Sequence, residues 1–400
     1  MPRHATRHPF FESIAREWGL LCQRPWDLAM ISWVPLLSAA LIFAIFSAGI
    51  PTRLPVGVRD ADHSALSRQL VRFLDATPGL QVVQQVDDEL AAERAMRSGA
   101  VYGMVEVPAG FARDIKLGHA AQITLLHNAQ FSSHSGMIQR DVRTATGTLS
   151  AGIEIVARNK RGESPRAARL SQEPIRTAMA NLFNPALDYL QFLGMALVPA
   201  MLHIFAMVAG AWSVGTELRD GTLGEWKVIC VGGRQYGGLL LALLGKLVPS
   251  FIALFAVGIA STLGFMAAGG WHPAGSMTLA LLALGAMIGL SIALGALAAA
   301  ISRSLRTALS ATGFITAPAF AFSGAAFPIA AMPQTAQWWA MSLPFTHYLR
   351  VQIEQLEMGV PVSCSAGTVG VMLLAAVVAL AIAAHCIGKA AADPSSWGKR

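Results

Sequence analysis

Residues 277–301 read MTLALLALGAMIGLSIALGALAAAI. No charged side chain interrupts the run, and it exceeds the ~20 apolar residues that a helix needs to cross a hydrocarbon core. Five further stretches come close to or exceed that length: Leu28–Ile50, Leu190–Gly215, Leu247–Ala268, Thr307–Ser323 and Thr368–Gly388. Backbone groups in lipid must be bonded within their own segment, so each stretch is expected as a helix. One long polar segment, residues 51–186, separates the first from the second. The layout predicts a polytopic α-helical membrane protein with six transmembrane helices and an inserted extracytoplasmic α/β domain.

The composition agrees. Only 13% of the 400 residues are charged and the mean hydropathy is +0.51, whereas a soluble domain carries roughly 25% charged residues. The net charge is +7. The basic residues are not interleaved with aromatics on one face, so the excess reads as membrane topology rather than nucleic-acid binding. Arg3, Arg7, Arg16 and Arg24 precede the first helix, and Arg219, Lys227, Arg234 and Lys246 lie between the second and third. Arg303 and Arg306 lie between the fourth and fifth, and Lys389, Lys399 and Arg400 follow the sixth. The loop Gly269–Ser276 has no Lys or Arg, and the loop before the sixth helix has only Arg350. Both termini are therefore expected in the cytoplasm, with the large domain outside. The first apolar run is too long for a cleavable signal peptide. On this topology Cys22, Cys230 and Cys386 face or end inward and only Cys364 faces outward, so no intrachain disulfide is expected.

Along the chain, residues 1–26 are expected to hold a cytoplasmic amphipathic interfacial helix. In Phe10–Trp26, Phe11, Ile14, Ala15, Trp18 and Leu21 form the apolar face, and Glu12, Ser13, Arg16 and Glu17 the polar one. The equal alternative is a helix packed on another part of the chain. Residues 27–50 form the first membrane helix. Residues 51–186 read as strands at Leu54–Val58, Leu80–Val86, Val101–Val107 and Gln122–His127, alternating with helices at His63–Ala76, Asp87–Ser98 and a short one ending at Gly118. That order implies a small α/β domain with a mixed sheet. A long helix over Ser135–Ala157, a charged loop Asn159–Pro165 and a further helical run lead to Asn184-Pro185. The second membrane helix is placed at 187–216, a cytoplasmic segment at 217–238, the third to sixth helices at 239–388 and a cytoplasmic tail at 389–400. Pro199, Pro249 and Pro318 fall inside membrane segments, where neighbouring helices can satisfy the freed carbonyls. Small residues such as Gly285, Gly289, Gly295, Ala298 and Ala299 suit close helix approach.

Several chemistries are missing from the sequence. Gly245-Lys246 and Gly388-Lys389 lack the flanking residues of a phosphate cradle, and no zinc helix, paired-cysteine motif or nucleophile elbow is present. His63, His119, His127 and His134 are scattered, which suits surface or packing roles better than a metal site. The apolar stretches hold almost no ionisable group beyond His203 and Lys246. An ion-driven carrier needs buried carboxylates along its path, so the energy is expected to come from outside the membrane part.

Residues 215–245 read GTELRDGTLGEWKVICVGGRQYGGLLLALLG. Such a short, mixed segment can dock in a groove of a soluble partner, with Leu223, Trp226 and Val228 anchoring and Glu217, Arg219, Asp220 and Glu225 orienting. This segment resembles the Glu-Arg-Glu-x-Gly-Thr-Leu-Glu signature of permease subunits of the type-2 ABC exporter family, the bacterial group with a large periplasmic domain between its first two membrane helices. Glu217, Asp220, Gly221, Thr222 and Leu223 match in order, and Gly245-Lys246 matches the family's Gly-Lys. Ser323, Gly324, Phe327, Pro328, Met332 and Pro333 match its stretch after the fifth helix, followed by Pro344, Thr346 and Tyr348. Gly224 and Ile229-Cys230 depart from the pattern, and Gly232-Gly233 and Gly237-Gly238 loosen it.

The resemblance implies an inner-membrane subunit that pairs with a second permease subunit, identical or homologous, and with cytoplasmic ABC ATPase subunits. It implies no catalytic residue, cofactor or metal on this chain, since ATP and Mg belong to the ATPase. Glu217, Asp220, Gly221, Thr222, Leu223, Glu225 and Trp226 would couple to that ATPase. Ser323, Gly324, Phe327, Pro328, Met332 and Pro333 would form a re-entrant outer gate between the fifth and sixth helices, with Trp338, Trp339 and Phe345 at the outer interface. The exported molecule would be amphipathic or hydrophobic, a drug, lipid or glycan-like compound, with a periplasmic adaptor as a further partner. Two other readings are a non-transporting assembly factor whose extracytoplasmic domain does the work, and a lipid-modifying enzyme. The latter needs a His, Asp or Ser cluster at one membrane depth, and none is visible.

Overall fold

The computed structural model describes residues 8–86, 88–128, 132–160, 182–184, 186–231, 236–393, 395 and 397. The expected loop and helical run across 161–181, Pro185, Gly232-Gly233 and most of the two termini lie outside them. The chain divides into two units, Met1–Gly49 with Asn181–Arg400, and Ile50–Ala180.

The first unit is helical. Helix α1 spans Pro9–Gln23, α2 Pro25–Ile31 and α3 Trp33–Phe46. Pro25 starts α2, where its missing N–H goes unmissed. The single first membrane helix expected at 27–50 is broken at Ser32 because Pro35 clashes with the carbonyl four residues earlier.

The second unit holds β1 (Leu54–Asp60), α4 (Ala65–Asp75), β2 (Leu80–Val86), α5 (Glu89–Arg97), β3 (Gly103–Val107), α6 (Phe111–Lys116), β4 (Thr124–His127) and the long α7 (Ser132–Lys160). The sheet order is β2-β1-β3-β4, with β1 parallel to β2 and β3 and with β4 antiparallel to β3. Helices pack against the sheet, so Val56, Val58, Met104 and Val105 of the central strands are fully buried. Ser64 and Ser67 form a reciprocal capping box that starts α4.

The helical unit continues with a π-helical turn, Leu190–Gly194, running into α8 (Met195–Arg219). Then come α9 (Leu223–Val231), α10 (Tyr236–Gly269), α11 (Met277–Ser302), α12 (Leu305–Thr316) and the four-residue α13 (Ala319–Phe322). Helices α14 (Gln334–Ser342) and α15 (Pro344–Gln352), a second π-helical turn (Ile353–Met358) and α16 (Val362–Ala391) complete it. Among the described residues five helices are long and apolar enough to cross a membrane: Pro25–Phe46, Leu190–Arg219, Gly237–Gly269, Met277–Ser302 and Val362–Ala391. The stretch expected as a fifth crossing, Thr307–Ser323, is instead α12 and α13, separated at Pro318.

At the centre α8 and α11 touch backbone to backbone. A Cβ on Gly210 would lie 2.0 Å from the Ile292 carbonyl oxygen, and one on Gly295 would lie 1.9 Å from that of Met207. Only glycine at both positions permits this approach. The periphery is apolar: α16 buries Ser365, Val369, Met372 and Ala376 and turns Val371, Leu374 and Val377 outward. An apolar outer face of that extent fits lipid as its surroundings.

Candidate functional site

Helix α8 ends in a turn that only glycine makes cheaply. Gly221 has φ +73°, and Thr222 N–H bonds the Glu217 carbonyl at 3.0 Å, closing a Schellman motif. The chain then starts α9 at once, with Trp226 N–H on the Thr222 carbonyl at 3.0 Å. This reversal brings Glu217, Thr222 and Trp226 together, and the Thr222 hydroxyl donates to Glu217 Oε2.

Helix α1 lies across α10 at Gly245, where a Cβ would stand 2.2 Å from the Phe10 carbonyl oxygen. The next residue, Lys246, is 2% exposed. Its Nζ donates to Glu217 Oε1 at 2.8 Å and to Glu17 Oε2, and lies 5.9 Å from the Trp226 ring centroid. Arg16 forks onto Glu217, with Nη1 on Oε1 and Nη2 at 3.1 Å from Oε2. Ser213 donates to the other Glu17 oxygen at 2.8 Å, and Trp226 Nε1 donates to Ser13 Oγ at 3.0 Å. Two cations and two carboxylates thus form a neutral cluster spanning α1, α8, α9 and α10. Buried charges are tolerable only when paired and hydrogen-bonded in this way.

Helix α1 turns its polar side into the chain. Ser13 and Glu17 are buried, while Phe11 and Trp18 are 64% and 53% exposed. The polar residues find partners inside the protein, and the apolar stripe Phe11, Ala15, Trp18 and Cys22 is left outside. Helical spacing places Arg16 and Glu17 on the polar face of α1 and does not reveal their part in the cluster. The signal available was the pairing of a lone Lys246 in an apolar stretch with carboxylates elsewhere.

The residues expected to couple split into two sets. Glu217, Leu223 and Trp226 are buried in the chain's own core, so Leu223 and Trp226 do not anchor a partner. Asp220, Gly221, Glu225 and Val228 are exposed, Val228 by 74%. Arg219 hydrogen-bonds Asp220 at 2.7 Å and Arg24 approaches it at 3.3 Å; Arg219's bond, aided by Arg24 against partial burial, holds the Asp220 carboxyl below the usual range. Beside the cluster a cavity of about 290 Å³ is walled by Leu20, Met30, Phe205, Trp212 and Leu309, with Glu17 and Arg24 among its polar residues.

The second set of expected residues lies between α13 and α14. Ser323 Oγ bonds the Phe320 carbonyl at 2.7 Å, Gly324 adopts φ +92°, and Pro328 starts a short 3₁₀ turn, Ile329–Ala331. Met332 accepts from Gln337, Pro333 leads into α14, and Phe327 is exposed. Phe345, expected at the interface, is instead fully buried and stacks on Phe320, whereas Trp338 is exposed. Nearby lies a polar knot that sequence reasoning did not find. Buried Gln355 receives Ser276 N–H at 3.0 Å and donates to Ser365 at 2.9 Å, and Ser365 donates to Glu354 at 2.6 Å.

Long apolar helices with their charge gathered in one buried cluster define a multi-pass membrane protein. The family model described as "ABC-2 family transporter protein" matches residues 25–385, and the chain belongs to that family. Members are membrane permease components of ABC transporters, which implies an ATPase subunit as partner. No curated protein and no solved structure matches the chain.

Proposed function

We propose that this chain is the membrane half of an ATP-driven exporter for an amphipathic or hydrophobic molecule. It pairs with a second permease subunit and takes its motion from ATPase subunits bound at the Asp220–Val228 surface. In this reading the termini face the cytoplasm of a bacterial cell, residues 51–186 face the periplasm where an adaptor can engage them, and α12–α13 form the fifth of six crossings as a broken span. The Ser323–Pro333 turns form the outer gate.

One observation carries the reading. The turn that would meet the ATPase is welded through Glu217 and Lys246 to α10 and through Trp226 and Ser13 to α1. A push on Glu225 or Val228 must therefore move three elements together, because a packed, fully bonded cluster transmits displacement rather than absorbing it. The experiment is co-reconstitution in liposomes with the ATPase encoded beside this chain. Glu225→Lys with Val228→Asp should leave the permease folded and abolish both ATPase copurification and permease-dependent ATP hydrolysis. ATP hydrolysis by the chain alone, or unchanged copurification, refutes the proposal.

A further inference from the structure

The Ile50–Ala180 unit contains a cleft of about 780 Å³ between α4, α6 with its following loop, and α7. That volume lies within the range of small-molecule sites, roughly 300–1,000 Å³. Its walls are mixed: Ile115, Ile123, Leu149 and Ile153 give an apolar stretch, and His119, Thr146 and Ser150 give polar groups. The floor is open at Gly147, where a Cβ would meet nothing within 4 Å. Arg143 stands at one end of the α7 wall and Glu154 at the other, about 16 Å apart along the helix at 1.5 Å per residue.

The two end groups differ. Glu154 is already engaged. The Arg143 guanidinium makes no hydrogen bond or ion pair with any described residue, whereas Arg140, one turn earlier, holds Asp141 at 3.1 Å. An exposed cation without a described partner, beside the apolar stretch of Leu149 and Ile153, is complementary to an anionic head on an apolar body. We infer that this cleft binds an anionic amphiphile, its head on Arg143 and its tail over Leu149 and Ile153 towards Ile115 and Ile123. The inference rests on the exporter reading only for the origin of that ligand, which would be cargo received outside the membrane.

The test uses the full chain in nanodiscs at pH 8 and two photoreactive probes with the same dodecyl chain and chain-borne diazirine. One carries a carboxylate head and the other an amine. Labelled positions are mapped by mass spectrometry. The carboxylate probe should label residues 111–123 and 143–154 saturably, at a concentration about tenfold below that of the amine probe, the worth of one charge-assisted hydrogen bond. Arg143→Gln should erase the preference, and Arg140→Gln should keep it. Gly147→Leu, which fills the floor, should lower labelling by both probes. Equal labelling by both heads, an unchanged preference in Arg143→Gln, or no saturable labelling overturns the inference. Labelling needs no ATPase. Its absence beside intact ATPase coupling sinks the cleft alone, while lost coupling beside intact labelling sinks the exporter reading.

Discussion

Replacing Lys246 by Met tests whether the buried cluster holds the helical unit together. The substitution keeps the length of the side chain and removes one of two cations that face Glu17 and Glu217. Glu217 keeps Arg16 and Thr222, but Glu17 keeps only the Ser213 hydroxyl. Two charge-assisted bonds vanish, at about 1.5–3 kcal/mol each. Removing one partner of a buried pair costs about 3–5 kcal/mol in its own right, because a charge is stranded. The expected loss is about 4 kcal/mol. Adding Glu17→Gln to Lys246→Met removes the stranded charge and should recover about 2 kcal/mol, so the two changes are strongly non-additive. An exposed pair serves as control: Arg303→Met, which removes one of the partners of Asp393, should stay below about 1 kcal/mol. The assay is reversible unfolding of the purified protein in mixed micelles by SDS titration, read by tryptophan fluorescence. Lys246→Met within 1 kcal/mol of the parent, or a double variant no better than the single, refutes the assignment of Glu17 and Glu217 to one cluster with Lys246.

Three further outcomes are expected. Gly295→Ala drives a methyl into the Met207 carbonyl; with backbone on the far side it should cost at least the ~1–3 kcal/mol of ordinary overpacking, seen as a loss of monodisperse protein on fluorescence-detected size exclusion. Gln352→Leu leaves the Met195 carbonyl without its 2.9 Å partner and should destabilise by about 1–3 kcal/mol, with faster hydrogen exchange confined to residues 190–199 and 349–358. In the α/β unit Asp62 accepts from Gly110 N–H at 2.9 Å and Ala112 N–H at 3.1 Å; burial pushes its carboxyl up, but the Ser64 hydroxyl and the α6 backbone amides hold it below the usual range. A depressed carboxyl stabilises above its unfolded value and stops doing so as pH falls through its folded one. Asp62→Asn should therefore speed exchange in residues 110–116 by about fivefold at pH 7, a cap worth ~1 kcal/mol, and the difference should start to shrink near the unfolded carboxyl value, about pH 4, and close as pH falls through the lower folded one.

Local chemistry made much of the fold legible. The strand at Leu80–Val86 has the expected bounds, and the mixed sheet follows from the alternation of strands and helices. The run at 277–301 is one helix, longer by a single residue. What helical spacing did not show is what covers each face of α1. The polar residues Ser13, Arg16 and Glu17 share one side of an amphipathic helix, and spacing alone leaves open whether water or the protein covers that side. The side buried is the one whose polar groups find partners, and Phe11 and Trp18 stay outside. Ser13 and Glu17 find theirs in Trp226, Ser213 and Lys246, all about two hundred residues away in sequence.

The prolines make the same point about distance. Pro199 and Pro318 both fall in apolar stretches, and nothing near either residue tells them apart. Pro199 stays inside a continuous helix, and the carbonyl it cannot serve, Met195, is taken by the side-chain amide of Gln352. Pro318 has no described side chain doing this for the Phe314 carbonyl four residues back, and the helix stops before it. A donor placed by the rest of the fold is one way to keep a membrane helix continuous through a proline; Pro249 stays inside α10 with no described side chain on the Gly245 carbonyl. Gln352 sits where it can be such a donor because it closes α15 just before the second π-helical turn, and Met195 closes the first. One amide joins the two irregular turns, and irregular turns of this kind are where helices bend. If the cluster around Lys246 receives the push at one end of α8, the Gln352 bond is where its other end can hand that movement to the segment leading into α16.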